Sequence, residues 1–199
     1  MEIAIIDYGM GNIASVKNSI DFLGHSATLV EDPIKVNDFN TIILPGVGAY
    51  GQAMNKLATK GMNKVILDAA DKGKKIIGIC LGMQLLLSKS FEFGVHDGLG
   101  LIEGEVLSMI DKTQLRVPHM GWNDIKSVNI KFNGFNGDYY FVHSYYCQPS
   151  NKKDILFETE YGFNFCSAVK KNNIYGLQFH PEKSQKNGLN LLNYILSDD

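Results

Sequence analysis

The first hundred residues alternate between two hydrophobic periods. Residues 2–6 form a short apolar run, apolar positions recur with helical spacing over about 12–23, and 27–31 returns to a strand-like run. The alternation continues through 41–44 (strand), 50–57 and 62–72 (helix), 75–79 (strand) and 83–88 (helix). Short buried strands separated by amphipathic helices predict right-handed β-α-β units. The expected fold class is therefore α/β, a mostly parallel central sheet flanked by helices.

From residue 101 the pattern changes. Runs at 105–109, 138–143, 155–160, 165–169 and 174–179 read as short strands, with turn signals at Asn133-Gly134, Asn136-Gly137 and Tyr161-Gly162. These predict an antiparallel β addition to the main sheet, and 185–196 predicts a closing helix. No Ser/Pro-rich linker, low-complexity tract or internal repeat interrupts the chain, so its 199 residues read as one domain, 1–199.

Composition narrows the function class. With 45% hydrophobic and 20% charged residues and a net charge of −2, the chain reads as soluble and globular, without the basic footprint of a nucleic-acid binder. No apolar stretch approaches the ~20 residues that span a bilayer. The opening MEIAIIDYG has no basic region or small-residue cleavage site and reads as a first strand rather than a signal peptide. Cys80, Cys147 and Cys166 are odd in number and unpatterned, which argues against a disulfide framework. A cytoplasmic protein is expected.

The most informative segment is Gly78-Ile79-Cys80-Leu81-Gly82. A buried strand runs into Cys80 and a helix begins directly after it, the spacing of a nucleophile elbow with Cys in place of Ser. A sharp strand-to-helix reversal strains the central residue, and side chains two positions either side would collide, hence the glycines. The turn lifts the sulfur to a helix N-terminus, which favours thiolate, and leaves the Leu81 N–H where an oxyanion would form. The bland alternative is a small buried cysteine at a strand end.

A partner for the thiol lies near the C-terminus. His180 ends another apolar strand and should emerge at the same sheet edge as Cys80, where open α/β sheets place their sites. Pro181 is expected to keep the chain extended, so that Glu182, two residues on, projects the same way and orients the imidazole. Cys80, His180 and Glu182 then form a nucleophile, base and orienter. Taken singly, His180 reads equally as a strand-end histidine and Glu182 as a solvated carboxylate.

These segments resemble a known family. GICLGMQLL around Cys80, QFHPEKS around His180 and PGVGAY at 45–50 resemble class I, triad-type glutamine amidotransferases, whose core is flavodoxin-like. Together with IIDYGMGNIASV, GLGLIEGEV, RVPHMGWN and YYFVHSYY, they are most similar to the glutaminase subunits of imidazole glycerol phosphate synthase. The resemblance implies that Cys80 attacks glutamine, that His180 protonates the departing ammonia, and that water resolves the thioester to glutamate. It implies no cofactor or metal. It assigns oxyanion stabilisation to Val47, Gly48 and Leu81, with Gly46 and Gly48 allowing a peptide of that segment to reorient. Gly46, Gln84, Glu92, His143, Ser144 and Tyr145 match positions that hold glutamine. Asn12, His119, Met120, Trp122, Asn123 and Lys183 match a face toward a (β/α)8-barrel cyclase, the heterodimer partner that receives ammonia during histidine synthesis. The alternative partner is a related barrel in nucleotide-sugar or surface-glycan synthesis.

Each assignment has a plainer alternative. Trp122 reads equally as core, His119 and His143 as structural hydrogen-bonders, and Glu92 as a surface charge at a helix end. Cys147 and Cys166 read as structural, and His25 and His96 carry no role. A competing function comes from Gly9-x-Gly11-x-x-Ala14 after the first strand, with Glu31 and Asp32 about 20 residues on, which resembles a dinucleotide fingerprint. The chain offers no second mononucleotide half to support it. A thiol peptidase with the same triad and a non-catalytic regulatory subunit complete the field.

Overall fold

The computed structural model describes residues 2–198. The first half runs β1 (Glu2–Ile6), α1 (Ile13–Phe22), β2 (Ser26–Val30), β3 (Thr41–Gly46), α2 (Tyr50–Thr59), α3 (Met62–Asp71), β4 (Lys75–Cys80) and α4 (Leu81–Leu85). It continues through β5 (Leu87–Ser90), β6 (His96–Asp97), β7 (Ile102–Ser108), β8 (His119–Ser127), β9 (Gly137–His143) and β10 (Tyr145–Pro149). β11 (Ile155–Glu160), β12 (Asn164–Lys171), β13 (Ile174–Leu177) and α5 (Gln185–Ser197) complete it.

The sheet order is β2-β1-β3-β4-β13-β12-β10-β7-β5-β6, and β11, β8 and β9 branch from β12. Strands β2, β1, β3, β4 and β13 are parallel, and β12 and β10 continue antiparallel beyond them. The expected α/β sheet with an antiparallel addition is thus the observed architecture.

Strand alternation divides the core in two. Ala4, Ile42, Leu44 and Ile76 face one side, where α2, α3 and α4 bring Ala53, Leu57, Ile66 and Met83. Ile3, Ile5, Ile43 and Ile77 face the other, against Val16 and Ile20 of α1 and Leu191, Leu192 and Ile195 of α5. Burial on both faces explains why these strands read as continuous apolar runs, each buried isoleucine contributing about 1.5–3 kcal/mol.

Two expectations fail, and strand β8 went unpredicted. The helix predicted at 83–88 stops at Leu85, and Leu87–Ser90 is a strand pairing in parallel with β7. Leu85-Leu86-Leu87 satisfies either period, and the Leu85 and Leu87 carbonyls are taken by the Leu99 and Gly100 amides. The chain after His180 is not extended: Pro181–Lys183 is a 3-10 turn, for which proline at the first position is well suited. β8 carried no strand signal because Met120 and Trp122, normally inward-facing types, point outward.

Candidate active site

The elbow is built by contact between its two glycines. Cys80 sits at φ 55°, ψ −111°, outside the regions open to a side-chain-bearing residue without strain. A Cβ on Gly78 would lie 2.6 Å from the Gly82 carbonyl oxygen, and one on Gly82 would lie 1.8 Å from that of Leu44. α4 therefore packs on β3 and β4 at a distance only glycine permits. Gly46, opposite Cys80 in the β3–β4 register, is equally confined: a Cβ there would meet the Tyr8 hydroxyl at 2.7 Å.

The partner histidine arrives by sheet pairing. β13 lies beside β4 in parallel, with Leu177 opposite Ile79, so His180 and Cys80 leave the same sheet edge. His180 Nδ1 donates to Glu182 Oε1 at 2.8 Å, and both side chains are almost fully buried. The His180 backbone is pinned as well: its N–H donates to the Tyr140 carbonyl at 2.9 Å, and the Ser184 hydroxyl donates to its carbonyl at 2.6 Å. Burial, the largest single influence, would lower the imidazole pKa. Hydrogen-bonding and charge interactions with Cys80 and Glu182 together outweigh it and push the value up to about 10. Nε2 makes no hydrogen bond of standard geometry at rest, leaving it as the nitrogen available to the sulfur and to a leaving group.

Cys80 and His180 open into a cavity of about 560 Å³, also lined by Val47, Gly48, Leu81, Gln84, Glu92, His143, Ser144 and Tyr145. All the expected oxyanion and substrate residues except Gly46 line this one cavity; Gly46 lies behind it against Tyr8 and α4. Glu92 is buried, not a helix-end surface charge. Besides Tyr8, two residues went unrecognised in the sequence. Gln178, fully buried, accepts from Gln84 Nε2 at 3.1 Å and turns its own Nε2 toward the Cys80 sulfur at 3.9 Å. Its signal was a position two residues before His180, which puts it on the same side of the strand. Ser184 carried no signal, since its work is done on backbone groups.

A strained cysteine at a buried strand end and a carboxylate-held histidine, sharing one cavity, form the candidate site. The family model for class-I glutamine amidotransferases matches residues 4–194. The chain belongs to the class-I glutamine amidotransferases. Two relatives are each described as the imidazole glycerol phosphate synthase subunit HisH. The one from Sulfurimonas denitrificans is 48% identical, with 96% of this chain and 95% of that protein covered. The one from Chlorobium luteolum is 46% identical over 94% and 96%. A solved glutamine amidotransferase superposes with TM-score 0.78 at 17% identity, covering 97% of both chains, which shows the shared fold. Among the described residues of this amidotransferase no group of three or more His, Cys, Asp or Glu could hold a metal, and no helix is long and apolar enough to cross a membrane.

The residues matched to a partner face divide. Met120 and Trp122 of β8 are 62% and 49% exposed and lie opposite Val142 and Tyr140 of β9. Lys183 reaches over the Tyr140 ring at 5.9 Å. Asn12 is half-buried at the N-cap of α1. His119 is the correction: at 2% exposure it is inside, because strand alternation sends it to the opposite face from Met120 and Trp122. It stacks between Phe141 and Tyr161 and joins a one-way hydrogen-bond chain. Asn123 Nδ2 donates to His119 Nε2 at 3.2 Å, His119 Nδ1 to His143 Nε2 at 2.9 Å, and His143 Nδ1 to the Tyr145 carbonyl at 2.8 Å. The Tyr145 carbonyl as acceptor at one end and the Asn123 amide as donor at the other set this direction, which the neutral forms of both histidines satisfy.

The dinucleotide reading loses its turn. Lys56 and Lys60 donate to the Gly9 and Asp7 carbonyls, and Lys60 also pairs with Glu31 at 3.5 Å. Of the two acids expected to meet a ribose, Glu31 faces this lysine and Asp32 accepts the Ile34 N–H at 2.9 Å.

Burial lowers the pKa of His119 to about 4 and of His143 to about 3, from an ordinary 6.5. The native state therefore binds fewer protons than the unfolded chain between those values. The stability from these neutral rings is complete above pH 6.5 and is lost as pH falls toward 4 and 3. The urea midpoint should drop from pH 7 to pH 5, and drop less in His143→Gln; equal losses in the two proteins would contradict this. His180, shifted upward, contributes with the opposite sign, losing stability as pH rises from 6.5 through 10.

Proposed function

We propose that this chain is the cytoplasmic glutaminase subunit of an imidazole glycerol phosphate synthase, hydrolysing glutamine to glutamate and ammonia. The observation that carries the chemistry is the meeting of Cys80 and the buried His180–Glu182 pair in one cavity. The Cys80 thiolate attacks the carboxamide carbon, and the oxygen takes up the negative charge facing the Leu81 and Val47–Gly48 amides. His180 then gives its Nε2 proton to the departing nitrogen, the C–N bond breaks, and a thioester remains. Neutral His180 next takes a proton from water, whose oxygen attacks the thioester. Collapse returns the thiol and releases glutamate. Glu182 holds the Nδ1 proton throughout, stabilises the imidazolium and keeps Nε2 aimed at the reacting atoms.

The relatives' description as a synthase subunit supports a (β/α)8-barrel cyclase as heterodimer partner, one glutaminase per barrel, receiving ammonia for imidazole-ring formation in histidine synthesis. The exposed Met120–Trp122 face supports this, because its neighbour Val142 also lines the active-site cavity. An uncoupled glutaminase would waste glutamine. The isolated chain should therefore turn over weakly and gain at least about tenfold with the cyclase and its nucleotide ligand, equivalent to about 1.4 kcal/mol or more off the barrier. Steady-state glutamate release measures this; equal turnover alone and in complex would contradict it. Co-purification of a barrel from the histidine pathway tests the partner, and a glycan-pathway barrel would replace it.

A further inference from the structure

α2 begins immediately after the oxyanion segment, and its first turn lacks an ordinary cap. Ala49 occupies the N-cap and has no side chain to receive the free amides that open every helix. A residue 42 positions away supplies the acceptor: Glu92 Oε2 accepts the Tyr50 N–H at 2.6 Å. A carboxylate here is doubly favourable, as hydrogen-bond acceptor and as negative charge at the positive end of the helix. Glu92 is only 9% exposed, and its own amide donates to the fully buried Ser90 at 3.2 Å, so the carboxylate stands on a fixed base. The helix start is seated against the same turn. A Cβ on Gly51 would lie 2.6 Å from the His96 ring, and one on Gly98 would lie 2.2 Å from the Tyr50 hydroxyl.

The upstream end of the segment is held too. The Tyr8 hydroxyl donates to the Pro45 carbonyl at 3.0 Å, and Gly46 is paired with Cys80 in the sheet. Between these anchors run only Val47, Gly48 and Ala49, with Val47 42% exposed and Gly48 at φ 99°. Glu92 lines the same cavity as Val47, Gly48 and Cys80.

We propose that Glu92, through the Tyr50 amide, is a positioning residue that clamps the downstream end of the Val47–Gly48 oxyanion segment, in addition to any contact it makes with substrate. This rests on the glutaminase reading for its kinetic consequences and on the hydrogen bond alone for its structural ones. Two roles of one carboxylate separate by chemistry. Recognition of glutamine's ammonium needs the charge, whereas holding the Tyr50 N–H needs only an acceptor oxygen. Glu92→Gln keeps the acceptor and drops the charge; Glu92→Ala removes both.

The experiment compares these variants in the complex with the cyclase on two substrates, glutamine and glutaramate, which is glutamine without its α-amino group. Glu92→Ala should lower kcat on glutaramate by about ten- to a hundredfold, as expected when a catalytic group is displaced by an ångström or so. Glu92→Gln should recover most of that loss while raising KM for glutamine. Undiminished kcat on glutaramate in Glu92→Ala, or equal losses in both variants, would overturn the proposal. Independently of turnover, hydrogen exchange at the Val47, Gly48 and Tyr50 amides of the free chain should quicken in Glu92→Ala and less in Glu92→Gln. Exchange unchanged from wild type would overturn the clamp itself. A wild-type complex inert toward both substrates would instead defeat the glutaminase reading and leave the exchange result to decide the clamp.

Discussion

Replacing Cys80 with alanine should remove glutamine hydrolysis and leave the fold standing. The loss in kcat should be at least about 10⁴-fold, since removal of a nucleophile disables its base as well. Structure should survive because the sulfur has few obligations: its polar neighbours, the Val142 carbonyl and Gln178 Nε2, both lie 3.9 Å away. Alanine inherits the same strained backbone, so the change in stability should be within about 1 kcal/mol. Cys80→Gly makes the strain visible. Glycine tolerates positive φ, so this variant should be equally inactive yet about 1–3 kcal/mol more stable than Cys80→Ala. Glutamate release and denaturant titration measure the two effects. Residual turnover near wild type, or no stability gain for glycine over alanine, would contradict the elbow.

The largest structural effect belongs to a smaller change. Gly82→Ala places a methyl group 1.8 Å from the Leu44 carbonyl oxygen, and the obstacle is sheet backbone rather than a side chain that can swing aside. α4 or β3 must shift, at a cost of about 3 kcal/mol or more. That shift also displaces the Leu81 amide, so stability and turnover should fall together. A Gly82→Ala protein with wild-type melting temperature and kcat would show that the elbow is looser than its geometry indicates. Gly24→Ala is the control. A Cβ at Gly24 meets nothing within 4 Å, so only the backbone cost of its φ of 81° should register.

How much of this was readable from the chain depends on how local the signal is. The elbow was legible because its determinants sit within five residues, Gly78 to Gly82, and each glycine answers a contact made inside that stretch or with the adjoining strand. The pairing of Cys80 with His180 was legible from rank alone, since both end apolar strands of an open sheet, and β4–β13 adjacency then brings them together. The route of Glu182 to its histidine was misread: the contact is made by a 3-10 turn opened by Pro181, not by extended chain. Tyr8, Gln178 and Ser184 stayed hidden because each acts on groups far away in sequence, 37 residues away for Tyr8 and 44 for Ser184 bonding Tyr140. β8 stayed hidden for the opposite reason. Its outward Met120 and Trp122 break the rule that large apolar side chains face inward, and His119 takes the inward place. A strand that inverts the usual pattern is an unreliable guide to its own face, and the grouping of His119 with Trp122 failed on that account.

The central claim is that one sulfur of three carries the reaction. Cys147 and Cys166 are buried, and burial pushes both thiols well above their ordinary pKa, so they should stay unreactive. Treating the chain, with the proposed cyclase partner present, with a chloroketone analogue of glutamine and mapping the adduct by peptide mass spectrometry tests this directly. The account predicts one adduct per chain, on Cys80 alone, formed in step with loss of glutaminase activity and blocked by excess glutamine. Full inactivation with Cys80 unmodified, or an adduct on Cys147 or Cys166, would contradict it.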